Sequence, residues 1–165
     1  MTSTLSSMPL ISPTEVISLA YITELDPSMI KPEVIHTCEL KYIKPVLSPP
    51  LYEDVKNNIP NHSFIIINYI QPCLAFYVKY SIMNQQLLET SQYTPGTNPN
   101  LSPVLVEVST VVQLPGQHRR DAIREVLVMA KYWEALLYEY VITQNYSLYE
   151  KPPSRIIAGF RIRKN

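Results

Sequence analysis

The sequence predicts a mainly α fold: a small helical bundle with an inserted β-hairpin and an extended C-terminal arm. Three observations carry this. Apolar residues recur at helical spacing of three and four in several segments, most clearly over 123–141. Prolines sit repeatedly where helices begin, at Pro13, Pro27, Pro32, Pro60 and Pro115. A polar, proline-rich stretch, followed by a run of β-branched residues, interrupts the helical pattern between residues 92 and 112.

The chain of 165 residues fits one domain plus short appendages. We divide it into a flexible N-terminal arm (1–12), a helical domain (13–150) with a hairpin insertion at about 85–113, and an extended basic arm (151–165). Ser12-Pro13-Thr14-Glu15 is a helix start: Ser12 can cap, Pro13 loses no needed donor in the first turn, and Glu15 can close a capping box. That helix should run to about Thr23. Asp26-Pro27 and Lys31-Pro32-Glu33 are further starts. The helix after Pro32 carries Val34, Ile35, Cys38, Tyr42 and Ile43, and Pro45 should end it, because the residue before a proline is pushed out of helical conformation. Leu51–Val55 should form a short helical turn.

Pro60-Asn61 opens the next helix, which includes the apolar run Phe64–Tyr80. At 17 residues, with Asn68, Gln71, Pro72 and Lys79 inside it, this run reads as a buried core helix and not a membrane span. Pro72 should kink or break it. Tyr42-Ile43-Lys44-Pro45 and Tyr69-Ile70-Gln71-Pro72 echo one another 27 residues apart, which is too short a match to establish a repeat. Gln85–Glu89 and Val104–Val112 should be the hairpin strands around the projecting loop Gln92–Pro103, with Tyr93, Thr94, Asn98 and Asn100 near its tip. Leu114-Pro115-Gly116 starts the longest helix, to about Gln144. Ile123, Val126, Leu127, Ala130, Trp133, Leu136, Leu137, Tyr140 and Val141 form its buried stripe. After the stiff Lys151-Pro152-Pro153 spacer, Phe160 and Ile162 alternate with Arg161 and Arg163, the period of a strand that could pair with another subunit.

Composition excludes several functions. Formal net charge is zero, so bulk electrostatics do not make a strongly basic nucleic-acid binder. The basic residues Lys151, Arg155, Arg161, Arg163 and Lys164 nonetheless concentrate at the end, with no acidic residue among them. Only 3 glycines among 165 residues leave no Gly-rich phosphate loop. Cys38 and Cys73 are too few for a disulfide framework and read as buried thiols of a reducing compartment. Twelve tyrosines suit surfaces that become interfaces, although a compositional bias would also supply them.

No catalytic constellation emerges. His36 and Cys38 point to different helix faces, and adding His62 or Cys73 makes no metal-ligand spacing. Glu53 and Asp54 are adjacent, unlike the separated carboxylates of a glycosidase. No cofactor is implied. Two candidate binding features remain. Arg119, Arg120 and Arg124 could face DNA or an acidic subunit edge, or simply pair with Asp121 and Glu125 along the helix. Arg155, Ile156, Ile157, Phe160, Arg161, Ile162 and Arg163 could form a docking arm, since a merely frayed tail has no need of so many apolar residues.

Three segments carry a resemblance: Glu39–Leu47 followed by Pro50–Val55, the apolar helix with Tyr69-Ile70-Gln71-Pro72, and the long helix leaving through Asn145-Tyr146-Ser147-Leu148-Tyr149. In their order and spacing, over about Pro13 to Glu150, the chain resembles the head-tail connector (adaptor, or neck ring) proteins of tailed bacteriophages, closest to ring proteins of the crAss-like group. The resemblance implies a structural virion protein at the head-tail junction, assembled in the host cytoplasm, and not an enzyme. It implies a homo-oligomeric ring of about twelve copies beneath the portal, a closed heterologous assembly. Its partners would be the portal protein, downstream tail or neck ring proteins, and packaged DNA passing through the channel; no membrane is involved. The C-terminal arm would dock on the portal or a neighbouring subunit, and the Gln92–Pro103 loop would touch the next ring or line the channel. Competing readings are a tail-completion protein, a small nucleic-acid-binding module and, weakest, an enzyme.

Overall fold

A computed structural model describes residues 8–22, 25–91 and 116–151. Those residues are mainly helical and contain no strand. The helices are α1 (Pro13–Ala20), α2 (Pro32–Cys38), α3 (Lys44–Leu47), α4 (Pro49–Asn57), α5 (Ser63–Ile65), α6 (Gln71–Ser91) and α7 (Gly116–Gln144). Short 3-10 turns occupy Pro27–Met29 and Ile59–His62, and π-helical turns occupy Glu39–Ile43 and Ile66–Ile70.

The central element is α6. It packs against α7 along one side and against α1 and α2 on others. Cys73, Leu74, Ala75, Tyr77 and Val78 are all buried, so its first half is enclosed nearly all round. That enclosure accounts for the unbroken apolar stretch Cys73–Val78 in the sequence. Against it α7 lays Ile123, Val126, Ala130, Leu137 and Val141, the stripe that its periodicity predicts. Small Ala130 lets the two helices approach closely, with the Cys73 thiol directed at the Ala130 carbonyl at 3.9 Å.

Local capping follows the sequence closely. At α1 the Ser12 hydroxyl accepts from the Glu15 N–H (3.3 Å), and the Glu15 carboxylate accepts from the Ser12 N–H (2.7 Å), completing the capping box. The helix stops at Ala20, short of Thr23. There Lys79 donates to the Ala20 carbonyl at 2.6 Å and lies 4.8 Å from the Tyr21 ring, capping the helix from α6. At the far end of α7, Asn145 takes positive φ (49°), a conformation Asn tolerates at a helix end.

Four expectations are corrected. Gln85–Glu89 is not a strand but the last part of α6, which runs to Ser91. Gln, Leu and Glu are strong helix formers, and no Gly or Pro intervenes after Pro72. The other flank, Val104–Val112, and the loop Gln92–Pro103 lie outside the described residues. Pro45 does not end the helical path, and of the kink or break expected at Pro72 the break does not occur. A π-turn precedes each proline, with the Lys44 N–H bonded to the Glu39 carbonyl and the Gln71 N–H to the Ile66 carbonyl, five residues back. Each proline then becomes the second residue of a new α segment, where a missing N–H costs little. Finally, the N-terminal arm is shorter than twelve residues: Leu10 and Ile11 are buried. Residues 1–7 lie outside the described residues.

What holds Leu10 and Ile11 down is a buried carboxylate. Glu39, at 0 % exposure, accepts from the Leu10 N–H (3.1 Å), the Tyr52 hydroxyl (2.7 Å) and the Lys56 ammonium (2.7 Å). The Lys56 side chain is itself 4 % exposed and also donates to the Met8 carbonyl at 2.6 Å. Gln71 donates to the Leu10 carbonyl at 3.1 Å. The strap 8–11, the first π-turn and α4 thus meet at one charge, and α6 holds the strap through Gln71. Glu39→Ala should therefore destabilise the protein by about 3–5 kcal/mol in urea unfolding, because it leaves Lys56 buried without its counter-charge. Glu39→Leu combined with Lys56→Met should recover much of that loss; equal losses from the single and double changes would contradict this account.

Candidate assembly surfaces

The titratable groups of the described residues do not converge on a cleft. No three His, Cys, Asp or Glu side chains among them are placed to hold a metal. His36 is exposed on α2. His62 is tied to Asp54 (Nε2–Oδ2 2.7 Å), and Asn58 donates to the other Asp54 oxygen at 2.6 Å. These two hydrogen bonds, that from His62 first, hold the Asp54 carboxyl below the usual carboxylate range. Both cysteines are buried and free. Burial pushes the Cys38 thiol up to about 11 and Cys73 higher still. A shallow depression lined by Glu33, Val34, Thr37, Ser81 and Gln85 lies between α2 and α6. No helix of the described residues is long and apolar enough to cross a membrane.

Exposed apolar side chains, among them Met8, Ile22 and Met29, are scattered over the described residues, and two groups of them form patches. The first surrounds the second π-turn. Phe64 and Ile67 are each 59 % exposed. Behind them Tyr69 stacks on Tyr140 of α7, with ring centroids 4.5 Å apart, and Phe64 tilts against Tyr140 at 5.8 Å. His62 and Tyr146 continue the patch at 6.1 Å. Burial, then a hydrogen bond with Tyr140, pushes the Tyr146 phenol up to about 12. Stacked tyrosines have few rotamers left to lose, so this is a pre-ordered apolar surface.

The second patch is the outward side of α7. Val128 is 66 % exposed, Tyr132 56 % and Met129 42 %. At 100° per residue, Val128 and Tyr132 lie nearly opposite the buried Ala130 and Leu137. The two patches differ in place and chemistry: one is mostly aromatic and centred on the second π-turn, the other mixes Val128, Met129 and Tyr132 with carboxylates nearby at Glu125 and Glu139.

The predicted site residues divide unevenly. Arg120 and Arg124 are exposed one turn apart on α7, whereas Arg119 is half-buried on the inner side, so the three do not form one face. Arg124 lies 3.7 Å from Asp121, the pairing along the helix that the spacing suggested. Tyr93, Thr94, Asn98 and Asn100 lie outside the described residues, as do Arg155, Ile156, Ile157, Phe160, Arg161, Ile162 and Arg163. The arm's root is described. Ser48, held at φ 67° and ψ 150°, donates to the Leu148 carbonyl (3.5 Å) and accepts from the Glu150 N–H (3.1 Å). That backbone region is essentially a glycine one.

Sequence reasoning missed both patches. For the first, the available signal was the repeated Tyr-Ile-x-Pro, which marks two π-turns. Each exposes an apolar residue at the equivalent position, Leu40 (41 %) and Ile67 (59 %). For the second, the signal was a further set of α7 residues at three-four spacing outside the core stripe. Comparison with protein-family models, with curated proteins and with solved structures finds no match to this chain.

Two outcomes follow from the protonation chemistry. At pH 8 neither Cys38 nor Cys73 should react with a thiol reagent on native protein, and both should react rapidly in denaturant; a fast native phase would mean an accessible thiol. The Asp54 contribution to stability is present above its unfolded value, near pH 4, and is lost as pH falls through the lower folded value. Asp54→Asn should therefore flatten the acid limb of a pH–stability curve below about pH 4; an unchanged slope would remove the Asp54–His62 contact from the account.

Proposed function

We propose that this chain is a structural virion protein, a protomer of a homo-oligomeric ring between portal and tail that extends the DNA channel and joins head to tail. The observation that carries the reading is the pair of unlike apolar surfaces on one small helical body. A closed ring needs two different, mutually complementary faces on each protomer, because its contacts are heterologous. The aromatic patch at Phe64 and Ile67 and the outward side of α7 at Val128 and Tyr132 are two such candidates. A structural role asks for no catalytic cluster, and it matches the neutral overall charge of a conduit in which DNA must slide. The resemblance in sequence order to neck ring proteins supplies the location and the partners: the portal above, tail or neck rings below.

One observation favours a second reading. Arg120 and Arg124 are both exposed on α7, as a phosphate-contacting module would require. Strong duplex-DNA binding that falls steeply with salt would favour that module over the ring.

Electron microscopy of the purified protein, alone and mixed with portal complexes, should show closed rings or portals extended by one added ring. Replacing Phe64 and Ile67 by serine should abolish the rings while leaving the helical signal in circular dichroism unchanged. A protein that stays monomeric with and without portals would overturn the reading.

A further inference from the structure

The outward side of α7 is more ordered in chemistry than an ordinary solvent face. Glu125, Val128, Tyr132, Ala135, Glu139 and Ile142 follow one another at alternating steps of three and four, which places them in a single line along the helix. All six are exposed. The line is an apolar centre bracketed by two carboxylates, and neither Glu125 nor Glu139 has an ion-pair partner among the described residues. The remaining acidic residues of α7 are engaged: Asp121 with Arg124, and Glu134 with Lys131 and Tyr77.

The chain carries the complement of this line in its last residues. Residues 155–163 place Ile156, Ile157, Phe160 and Ile162 between Arg155 at one end and Arg161 and Arg163 at the other, with no acidic residue. The lengths agree. Arg155 to Arg163 in extended form spans about 26 Å. Glu125 to Glu139 spans about 21 Å of helix. The root of the segment lies on the inner side of α7: Leu148 and Glu150 are bonded to Ser48, at the junction of α3 and α4, and Pro152-Pro153 follows in the sequence. The last described residues before the segment therefore lie on the side of the helix that faces away from the line.

We infer that residues 155–163 of one copy dock on the Glu125–Ile142 line of α7 of a second copy, with the arginines on Glu125 and Glu139 and the apolar side chains on Val128, Tyr132 and Ala135. This rests on the reading of the chain as a self-assembling protomer and names the contact that joins neighbours. The interaction is heterologous, tail to helix, so it propagates around a closed ring, and it joins the same two faces, because Tyr146 of the aromatic patch closely precedes the root at Leu148 and Glu150.

The test uses two full-length charge-reversed chains, Glu125→Lys with Glu139→Lys, and Arg161→Glu with Arg163→Glu. All the altered side chains on α7 are exposed, so the fold should survive, which circular dichroism and native thiol protection would verify. Sedimentation should show each chain alone requiring about tenfold or more higher concentration to assemble than the wild type. An equimolar mixture should restore assembly, because each reversed tail then meets a helix of opposite charge. Docking within one copy, the alternative occupant, predicts no rescue on mixing and would overturn the inference, as would single chains that assemble like the wild type. Rings that form normally from either reversed chain would sink this contact but leave the ring reading standing. A wild-type chain that never assembles, with or without portals, would sink both.

Discussion

One buried charge organises the amino-terminal half of the molecule. Glu39 is fully enclosed and takes hydrogen bonds from a backbone N–H of the 8–11 strap and from a phenol and an ammonium of α4. A carboxylate in such a place is costly to desolvate, and it is tolerated only because every partner is present. The cost makes the arrangement selective: any register of strap, π-turn or α4 that lost one partner would leave a charge or a donor unsatisfied. Apolar burial of Leu10 and Ile11, of about 1.5–3 kcal/mol each, supplies adhesion without direction. The carboxylate supplies the direction.

The two π-turns are the second constraint, and they are related. Each ends one residue short of the proline of a Tyr-Ile-x-Pro sequence and widens the helix just where an α ladder would collide with the pyrrolidine ring. The burial pattern repeats with them: Cys38, Glu39, Ile43 and Leu47 are buried in the first unit, and Ile65, Ile66, Ile70 and Leu74 in the second. Tyrosine fills the same role in both. Tyr42 stacks on Tyr77 at 3.8 Å, and Tyr69 stacks on Tyr140 at 4.5 Å. The same local solution thus serves twice, once beside a buried charge and once beneath an exposed aromatic surface.

In the proposed ring these features would act through packing. Stacked, half-buried tyrosines hold apolar surface in a fixed position, which lowers the ordering cost when a neighbour arrives. A ring also multiplies weak contacts, since each added protomer closes on partners already held nearby. The tension at Ser48, in a backbone region that suits glycine, sits at the root of the carboxyl-terminal segment. It holds the backbone at Leu148 and Glu150, among the last described residues before that segment.

The sequence by itself determined the helical class, the capping box at Ser12, the core stripe of α7 and the burial of the run around α6. Each is a local signal: a cap residue, a proline at a helix start, or a spacing of three and four that any helix turns into a face. It misread Gln85–Glu89 as strand, because the turn signals beyond residue 92 outweighed the helix propensity of the residues themselves. It placed Leu10 and Ile11 in a free arm, because nothing next to them in sequence covers them. The groups that hold this strap, Glu39 and Gln71 on Leu10 and Lys56 on Met8, are distant along the chain. Only tertiary structure could decide that Glu39 is buried, that Pro45 and Pro72 continue a helical path, and which apolar residues of α7 remain outside. The reason is common to all three: a side chain's surroundings depend on segments brought together by folding, whereas periodicity reports only the element to which it belongs.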